Sequence, residues 1–284
     1  MKRLALALLV LATPARALDE AKLRAAVRAE ESALSARVGM AVRTGGGLAF
    51  AYRGDERFPL VSTHKAFSCA ALLARAERGD TSLRRRVVVV VTDLAPYSPI
   101  VENTIAPASM SLAEHCAAAI DYSDNTAANV VLAAVGGPHG VTDYFRSLGD
   151  AASRLDRNET DLNEAALDDP RDTTTPAAAA ADLDKLLLGD ALKPTSREQL
   201  KAWMREDKVA GALLRAVIPD DWRIADKSGA GGRGSRAIVA ALWPPGRAPV
   251  VVTIYMTESP APLEARNAAI ARLGVALKEA IEKP

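Results

Sequence analysis

The sequence predicts an α/β chain of the α+β kind: one antiparallel sheet built from both ends of the chain and flanked by terminal helices, with an all-helical part packed against it. Three observations predict this. Strand-like stretches lie near both ends of the chain. The middle, from about Ser62 to Glu206, carries helical spacing instead. Gly- and Pro-rich turns separate the strand-like stretches. The chain has 284 residues, 49% hydrophobic and 25% charged, which is enough to bury a core of this size. A cleft between the two parts is the natural place for a site.

Taken in order, residues 1–17 stand apart. Lys2 and Arg3 precede the apolar run "LALALLVLA", and Ala15-Arg16-Ala17 fits a small-residue cleavage site. This is the pattern of a secretory signal peptide cut near Ala17, too short for a membrane span. Residues 18–284 then read as one domain, with a sheet part (18–60 and 206–284) and a helical part (61–205). "LDEAKLRAAVRAEESAL" has helical apolar spacing, with Leu23, Ala26, Val27 and Leu34 on one face. "RVGMAVRT" and "LAFAYRG", separated by Gly-Gly-Gly, form a hairpin pattern. Near the end, "RAIVAALW" and "APVVVTIYMT" are strand-like around the turn "PPGR". The last helix pattern places Ala265, Ala268, Ala269, Leu273 and Leu277 on its apolar side.

Charge and cysteine content exclude several classes. Formal net charge is +1, and loss of Lys2, Arg3 and Arg16 with the signal would leave about −2. No basic block of five or more residues occurs, so a nucleic-acid partner is not indicated. No later apolar run approaches 18 residues, so the mature form is expected to be free of the membrane. The histidines (His64, His115, His139) are scattered, and C-x-x-C and H-E-x-x-H are missing, so neither metal nor cofactor is expected. Cys69 and Cys116, in an exported chain, permit either one disulfide or two buried thiols.

Four stretches carry chemistry. In "FPLVSTHKAFSC", Ser62 and Lys65 lie one turn apart at the start of a helix. A hydroxyl there sits near the positive end of the helix dipole and near N–H groups able to stabilise an oxyanion. Such a serine is also the ordinary N-cap, and S-x-x-K arises about once by chance in a chain this long. In "AAIDYSDNTAANVVL", Ser123-Asp124-Asn125 interrupts a helical region. It is either a turn between helices or a proton carrier (Ser123) beside a substrate-facing amide (Asn125). The polar segment from Arg154 to Pro176 holds Glu159, a candidate general base, with Asn163 four residues on. Arg157 and Asp172 are placed to clamp its ends. In "ADKSGAGGRGSRAIVAAL", Lys227-Ser228-Gly229 would line a cleft, with Lys227 and Arg236 supplying positive charge for a carboxylate. The glycines there permit close approach by a ligand.

Each stretch is weak alone, but their order and spacing together are specific. S-x-x-K, S-D-N and a lysine triad are the signature of class A β-lactamases and penicillin-binding proteins. From about Leu18 to the C-terminus the chain resembles the class A serine β-lactamases. The likeness extends through "DERFPLVST", "SDNTAAN", "RLDRNETDLNEA", "DPRDTTTP" and "ADKSGAGGRGSR". The resemblance implies a five-stranded antiparallel sheet and a monomer that acts, after export to the periplasm, on small β-lactam substrates. It makes Ser62 the nucleophile, with its own N–H and that of Ala230 as the oxyanion hole. It makes Lys65 or Glu159 the acceptor of the serine proton, and Ser123 the relay to the leaving nitrogen. Glu159 with Asn163 would activate the deacylating water, and Asn125 would bind the substrate's acylamino group. Lys227, Ser228, Gly229 and Arg236 would bind its carboxylate, and Tyr97 would line the cleft entrance. It also pairs Cys69 with Cys116.

The chain departs from the family pattern in places. Lys-Ser-Gly replaces the commoner Lys-Thr-Gly and keeps a hydroxyl. His64 stands where an aromatic or apolar residue is usual. It is expected to be buried and hydrogen-bonded, pointing away from Lys65. Asn158 and Thr160 replace a frequent tryptophan and proline around Glu159, and the peptide bond before Thr160 is expected to be cis. Ala230 and Gly231 match narrower members, and Val61 with Gly231 cannot form the extra disulfide of some carbapenem-hydrolysing relatives. Penicillins are expected first and early cephalosporins second. The alternatives are a penicillin-binding D,D-peptidase, which would lack the Glu159 loop, a non-hydrolysing β-lactam sensor, and a catalytically silent exported protein.

Overall fold

Five strands pair into one antiparallel sheet in the order β2-β1-β5-β4-β3, in a computed structural model that describes residues 18–282. The strands are β1 (Arg37–Thr44), β2 (Gly47–Tyr52), β3 (Arg223–Gly231), β4 (Ser235–Trp243) and β5 (Val250–Thr257). The expected signal peptide lies outside the described residues. The β1–β2 turn uses Gly45 and Gly46, both left-handed (φ 58° and 78°), as a two-residue hairpin of this twist demands. Gly47, expected in the turn, already pairs with Thr44.

The sheet is covered on both faces, which is why β4 and β5 read as nearly unbroken apolar runs. One face, through Val38, Met40 and Val42 and then Ile238, Ala240 and Leu242, packs on α1 (Glu20–Leu34) and the C-terminal helix (Leu263–Glu282). The N-terminal helix buries Leu23, Val27 and Leu34 as its spacing predicts, with Ala26 only half-buried. In the C-terminal helix Ala269, Leu273 and Leu277 are buried as expected, whereas Ala265 is only half-buried and Ala268 is exposed; Ile270 and Ile281 join the buried side. The larger Ile270 and Ile281 have more apolar surface to lose than the alanines, and they set the face.

The other face, through Ala41, Val239, Val251 and Tyr255, meets the helices between the strands. These are α2 (His64–Arg78), α3 (Leu112–Asp121), α4 (Asn125–Val135), α5 (Gly137–Ser147), α6 (Pro176–Leu187) and α7 (Pro194–Arg205), so that the C-terminal helix is α8. α2 is the hub. Every residue from His64 to Ala74 is buried, and the helix ends at Gly79, whose φ of 83° suits a glycine C-cap. A disulfide joins Cys69 on α2 to Cys116 on α3 with Cα atoms 5.7 Å apart. It closes a loop of 47 residues, which in the chain-entropy view stabilises by roughly 4 kcal/mol. Among the described residues no helix is long and apolar enough to cross a membrane.

Candidate active site

β3 is an edge strand, and its free side faces the start of α2. Between them opens a cavity of about 390 Å³. Ser62, Tyr97, Ser123, Asn125, Asn163 and Ala230 line it, and so do Ser228, Gly229 and Arg236. Ser62 sits in a single 3₁₀ turn, Val61–Thr63, immediately before α2. No side-chain cap is made at the start of that turn or of α2, so Ser62 is not the N-cap that its position allows. Three residues at the cavity hold left-handed backbones without being glycine: Val61 (φ 42°), Tyr97 (φ 62°) and Ser123 (φ 58°). For a β-branched residue such as Val61 this is a true outlier, of the kind that packing must enforce.

Lys65 projects from the first turn of α2 and is fully buried. Its Nζ donates to Asn125 Oδ1 (2.6 Å), Ser123 O (2.8 Å) and Ser123 Oγ (3.3 Å), and lies 3.0 Å from Glu159 Oε1. Burial pushes the ammonium below the usual lysine range, and Glu159 only partly offsets this. Lys65 thus gives up a proton more readily than a free lysine. Ser123 and Asn125 reach it because Asp124 between them caps α4, accepting from Ala127 N (2.8 Å). The turn reading of Ser-Asp-Asn holds, with Asp124 as the cap, and its two neighbours face Lys65.

The polar segment from Arg154 to Pro176 is irregular apart from a turn at Asp161–Asn163 and a two-residue strand at Thr173–Thr174. Arg157 Nε donates to Asp172 Oδ2 (2.6 Å), while Asp172 Oδ1 accepts from the Asp156 and Arg157 backbones. The expected clamp is present. It presents Glu159, 7% exposed, to Lys65. Asn163 Nδ2 donates to Glu159 Oε2 (2.5 Å), and Asn163 Oδ1 is buried without a partner among the described residues. Burial alone would raise the carboxyl, but Lys65 and His64 outweigh it and hold Glu159 down to about 2. The Glu159–Thr160 peptide bond is cis.

The opposite wall is β3. Lys227 Nζ is fully buried and makes no hydrogen bond among the described residues, with Asp207 Oδ2 at 3.8 Å. Burial lowers Lys227 to about 8 against the pull of Asp207. Arg236, on β4 opposite Ala230, donates to Gly229 O (3.0 Å) and Asn267 Oδ1 (2.7 Å) and is pushed by burial down to about 10. The wall is thus a pocket of two poorly solvated cations, suited to a carboxylate.

One expectation changes, and two gain detail. Gly229 lines the cavity, and the glycines at the end of β3 and just after it also make room for protein. A Cβ on Gly229 would lie 2.7 Å from Ser62 N, one on Gly231 2.9 Å from Asn163 O, and one on Gly232 2.3 Å from Glu164 O. They let the chain press against the Val61–Thr63 turn and the Glu159 loop. Asn125 is also already engaged at both ends, since its Nδ2 donates to Pro96 O (2.8 Å). Finally, His64 is buried as expected but does not point away from Lys65: both side chains reach Oε1 of Glu159. The 100° between consecutive helical residues is closed by the lysine's length.

Two residues escaped the sequence. Asn129, one turn after Asn125, brackets the Glu159 backbone through Nδ2 to Glu159 O and Glu159 N to Oδ1 (2.9 Å each). A lone amide in the apolar run "AANVVL" was the available signal. Asp207 accepts from Ser228 N (3.3 Å), and nothing in its spacing marks it. Among the described residues no group of three His, Cys, Asp or Glu is arranged to hold a metal.

Comparison with known proteins agrees with this geometry. The model of the Beta-lactamase enzyme family matches residues 20–281. The chain is 55% identical to Beta-lactamase AER-1 of Aeromonas hydrophila over 270 residues, 95% of this chain and 89% of that one. It is 48% identical to Beta-lactamase PSE-4 of Pseudomonas aeruginosa over 249 residues, 87% and 86% of the two chains. An ancestral class A β-lactamase structure superposes with a TM-score of 0.89 at 51% identity, covering 91% of this chain and 99% of that one. With the fold, the cleft and the four motifs in one place, the chain belongs to the β-lactamase enzyme family, as one of its class A members.

Proposed function

We infer that the chain hydrolyses the β-lactam ring of penicillins, and of early cephalosporins more slowly, through a serine acyl-enzyme, so conferring β-lactam resistance. The observation that carries this is the contact of Lys65, one turn on from Ser62, with both Glu159 and Ser123, which lines one cavity with Ser62. In acylation, Ser62 Oγ bonds to the lactam carbonyl carbon and its proton passes to Lys65, or to Glu159 through a water. The carbonyl oxygen charges up against the N–H groups of Ser62 and Ala230. As the C–N bond breaks, Ser123, recharged by Lys65, protonates the nitrogen. In deacylation, a water held by Glu159 and Asn163 attacks the ester and gives its proton to Glu159. The C–Oγ bond breaks, and the proton returns to Ser62.

Substrate carboxylate would sit against Lys227, Ser228 and Arg236 beside Gly229, with Asn125 near the acylamino group and Tyr97 (60% exposed) at the mouth. Asn125 would have to meet the substrate with the one amide hydrogen not given to Pro96. We further propose that residues 18–284 act as one monomeric domain in the periplasm, once the leader is removed near Ala17. The carboxylate on the clamped loop favours a hydrolase over a D,D-peptidase, because it supplies a base for the second step.

Purified protein is expected to turn over benzylpenicillin and a chromogenic cephalosporin. Glu159→Ala should slow deacylation by about 10²–10⁴-fold and leave a covalent adduct on Ser62 by mass spectrometry. No adduct in either protein would reject the mechanism.

A further inference from the structure

The proposed deacylating base is tied down by a residue that the four motifs do not include. His64, the first residue of α2, is fully buried. Its Nδ1 lies 3.1 Å from Ser68 Oγ, one turn along the same helix, and its Nε2 lies 3.1 Å from Glu159 Oε1. Burial holds the imidazole below the usual histidine range despite the neighbouring carboxylate, so it sits there neutral. A neutral imidazole has one donor and one acceptor. Against an ionised carboxylate the donor must be Nε2–H, which leaves Nδ1 to accept the Ser68 hydroxyl. Ser68 is itself buried and has this one side-chain partner among the described residues. The carboxylate therefore sets the tautomer, and the Ser68 hydroxyl satisfies the other ring nitrogen.

Glu159 needs such a tether. Asn158 before it is exposed and adds no packing, and the carboxylate is oriented by polar contacts alone. Oε1 takes His64 and Lys65, and Oε2 takes Asn163. The charged groups facing this cluster are Lys65 on the same helix, Asp172 at the far end of the loop, and Asp124, which acts on Lys65.

We propose that His64 is a positioning residue for deacylation: its Nε2–H, with the ring held through Nδ1 by Ser68, pins Oε1 of Glu159 beside Lys65 and leaves Oε2, next to Asn163, as the oxygen that takes the water's proton. The inference rests on Glu159 being the deacylating base. It also gives that carboxylate a third donor beside Lys65 and Asn163, which helps to keep it ionised in acid.

The test is the acyl-enzyme decay rate of a slowly hydrolysed β-lactam between pH 2 and 9, with acylation measured separately. His64→Phe, which removes both hydrogen bonds, is expected to slow deacylation by about 10–100-fold, as for loss of a charge-assisted hydrogen bond. It should leave acylation within a few-fold and move the acid limb up by about one pH unit. His64→Gln, whose amide can place a donor where Nε2 stands, should restore most of both. Ser68→Ala, which leaves the buried Nδ1 without a partner and loosens the ring, should slow deacylation several-fold. Unchanged deacylation and acid limb in a folded His64→Phe, or His64→Gln as impaired as His64→Phe, would overturn the proposal. If His64→Phe does not fold, unchanged deacylation in Ser68→Ala does so. Glu159→Gln run in parallel separates the two levels. If it deacylates normally, the assignment of the base fails. If it stalls while the His64 and Ser68 variants behave as wild type, only the tether fails.

Discussion

The two walls of the cleft are both built from buried charge, but they are finished differently. On the α2 side, Lys65 has three hydrogen-bond contacts and an ion pair, and Glu159 has His64, Lys65 and Asn163. On the β3 side, Lys227 is as deeply buried yet makes no hydrogen bond among the described residues, and its nearest counter-charge is 3.8 Å away. The first wall is organised before any ligand arrives, as groups that must pass protons on a fixed path require. The second keeps its cation under-compensated, so that an incoming carboxylate gains what the protein withholds. A self-satisfied network favours turnover, and a strained cation favours binding.

The largest expected effect comes from breaking the satisfied wall. Lys65→Ala removes the proton hub and should lower kcat/KM on the order of 10³–10⁴-fold for benzylpenicillin. It also strips a buried carboxylate of its cation, so stability should fall by roughly 3–5 kcal/mol in urea melts. Normal stability in this variant would mean that the wall is less interdependent than its contacts suggest. Lys227→Ala should act in the opposite style, lowering kcat/KM by about 10–100-fold, mainly through KM. Its stability should stay near wild type, because a costly desolvated charge leaves with the side chain. A loss in kcat alone would break the comparison.

The smallest effect is graded by pH. Lys227 is pushed down to about 8, so its charge is complete below that pH and is lost as pH rises through it. Accordingly kcat/KM, which reports the free enzyme, should decline above about pH 8 for carboxylate-bearing substrates. Glu159, held near 2, should contribute no acid limb near neutrality. An alkaline limb that persists unchanged in Lys227→Ala would assign it elsewhere, with Lys65 the next group to examine.

Much of this was open to reading in one dimension. The strand runs and the Gly45-Gly46 turn follow from local rules, and so does the end of α2 at Gly79, because periodicity and left-handed glycines act over a few residues. The apolar side of α8 was legible through Ala269, Leu273 and Leu277 but not at Ala268, because alanine carries little apolar surface and the burial of Ile270 sets the edge of that face. Asp207 had no local signature, since its partners Lys227 and Ser228 lie some twenty residues away on β3.

Sequence alone therefore determined the chemistry that is available: a serine and lysine one turn apart, a serine-asparagine pair, a carboxylate on a polar loop and a cationic strand. Those are choices of residue type and short spacing. Tertiary structure decided which groups share a proton path and which stay unpaired. It placed His64 on the same carboxylate oxygen as Lys65, occupied one donor of Asn125 with Pro96, and turned the glycines of β3 toward Val61 and Asn163. The physical reason is range: propensity and spacing act along the chain over a turn or two. Desolvation and hydrogen-bond partnership depend on what the fold packs alongside, from residues 29 to 95 positions away.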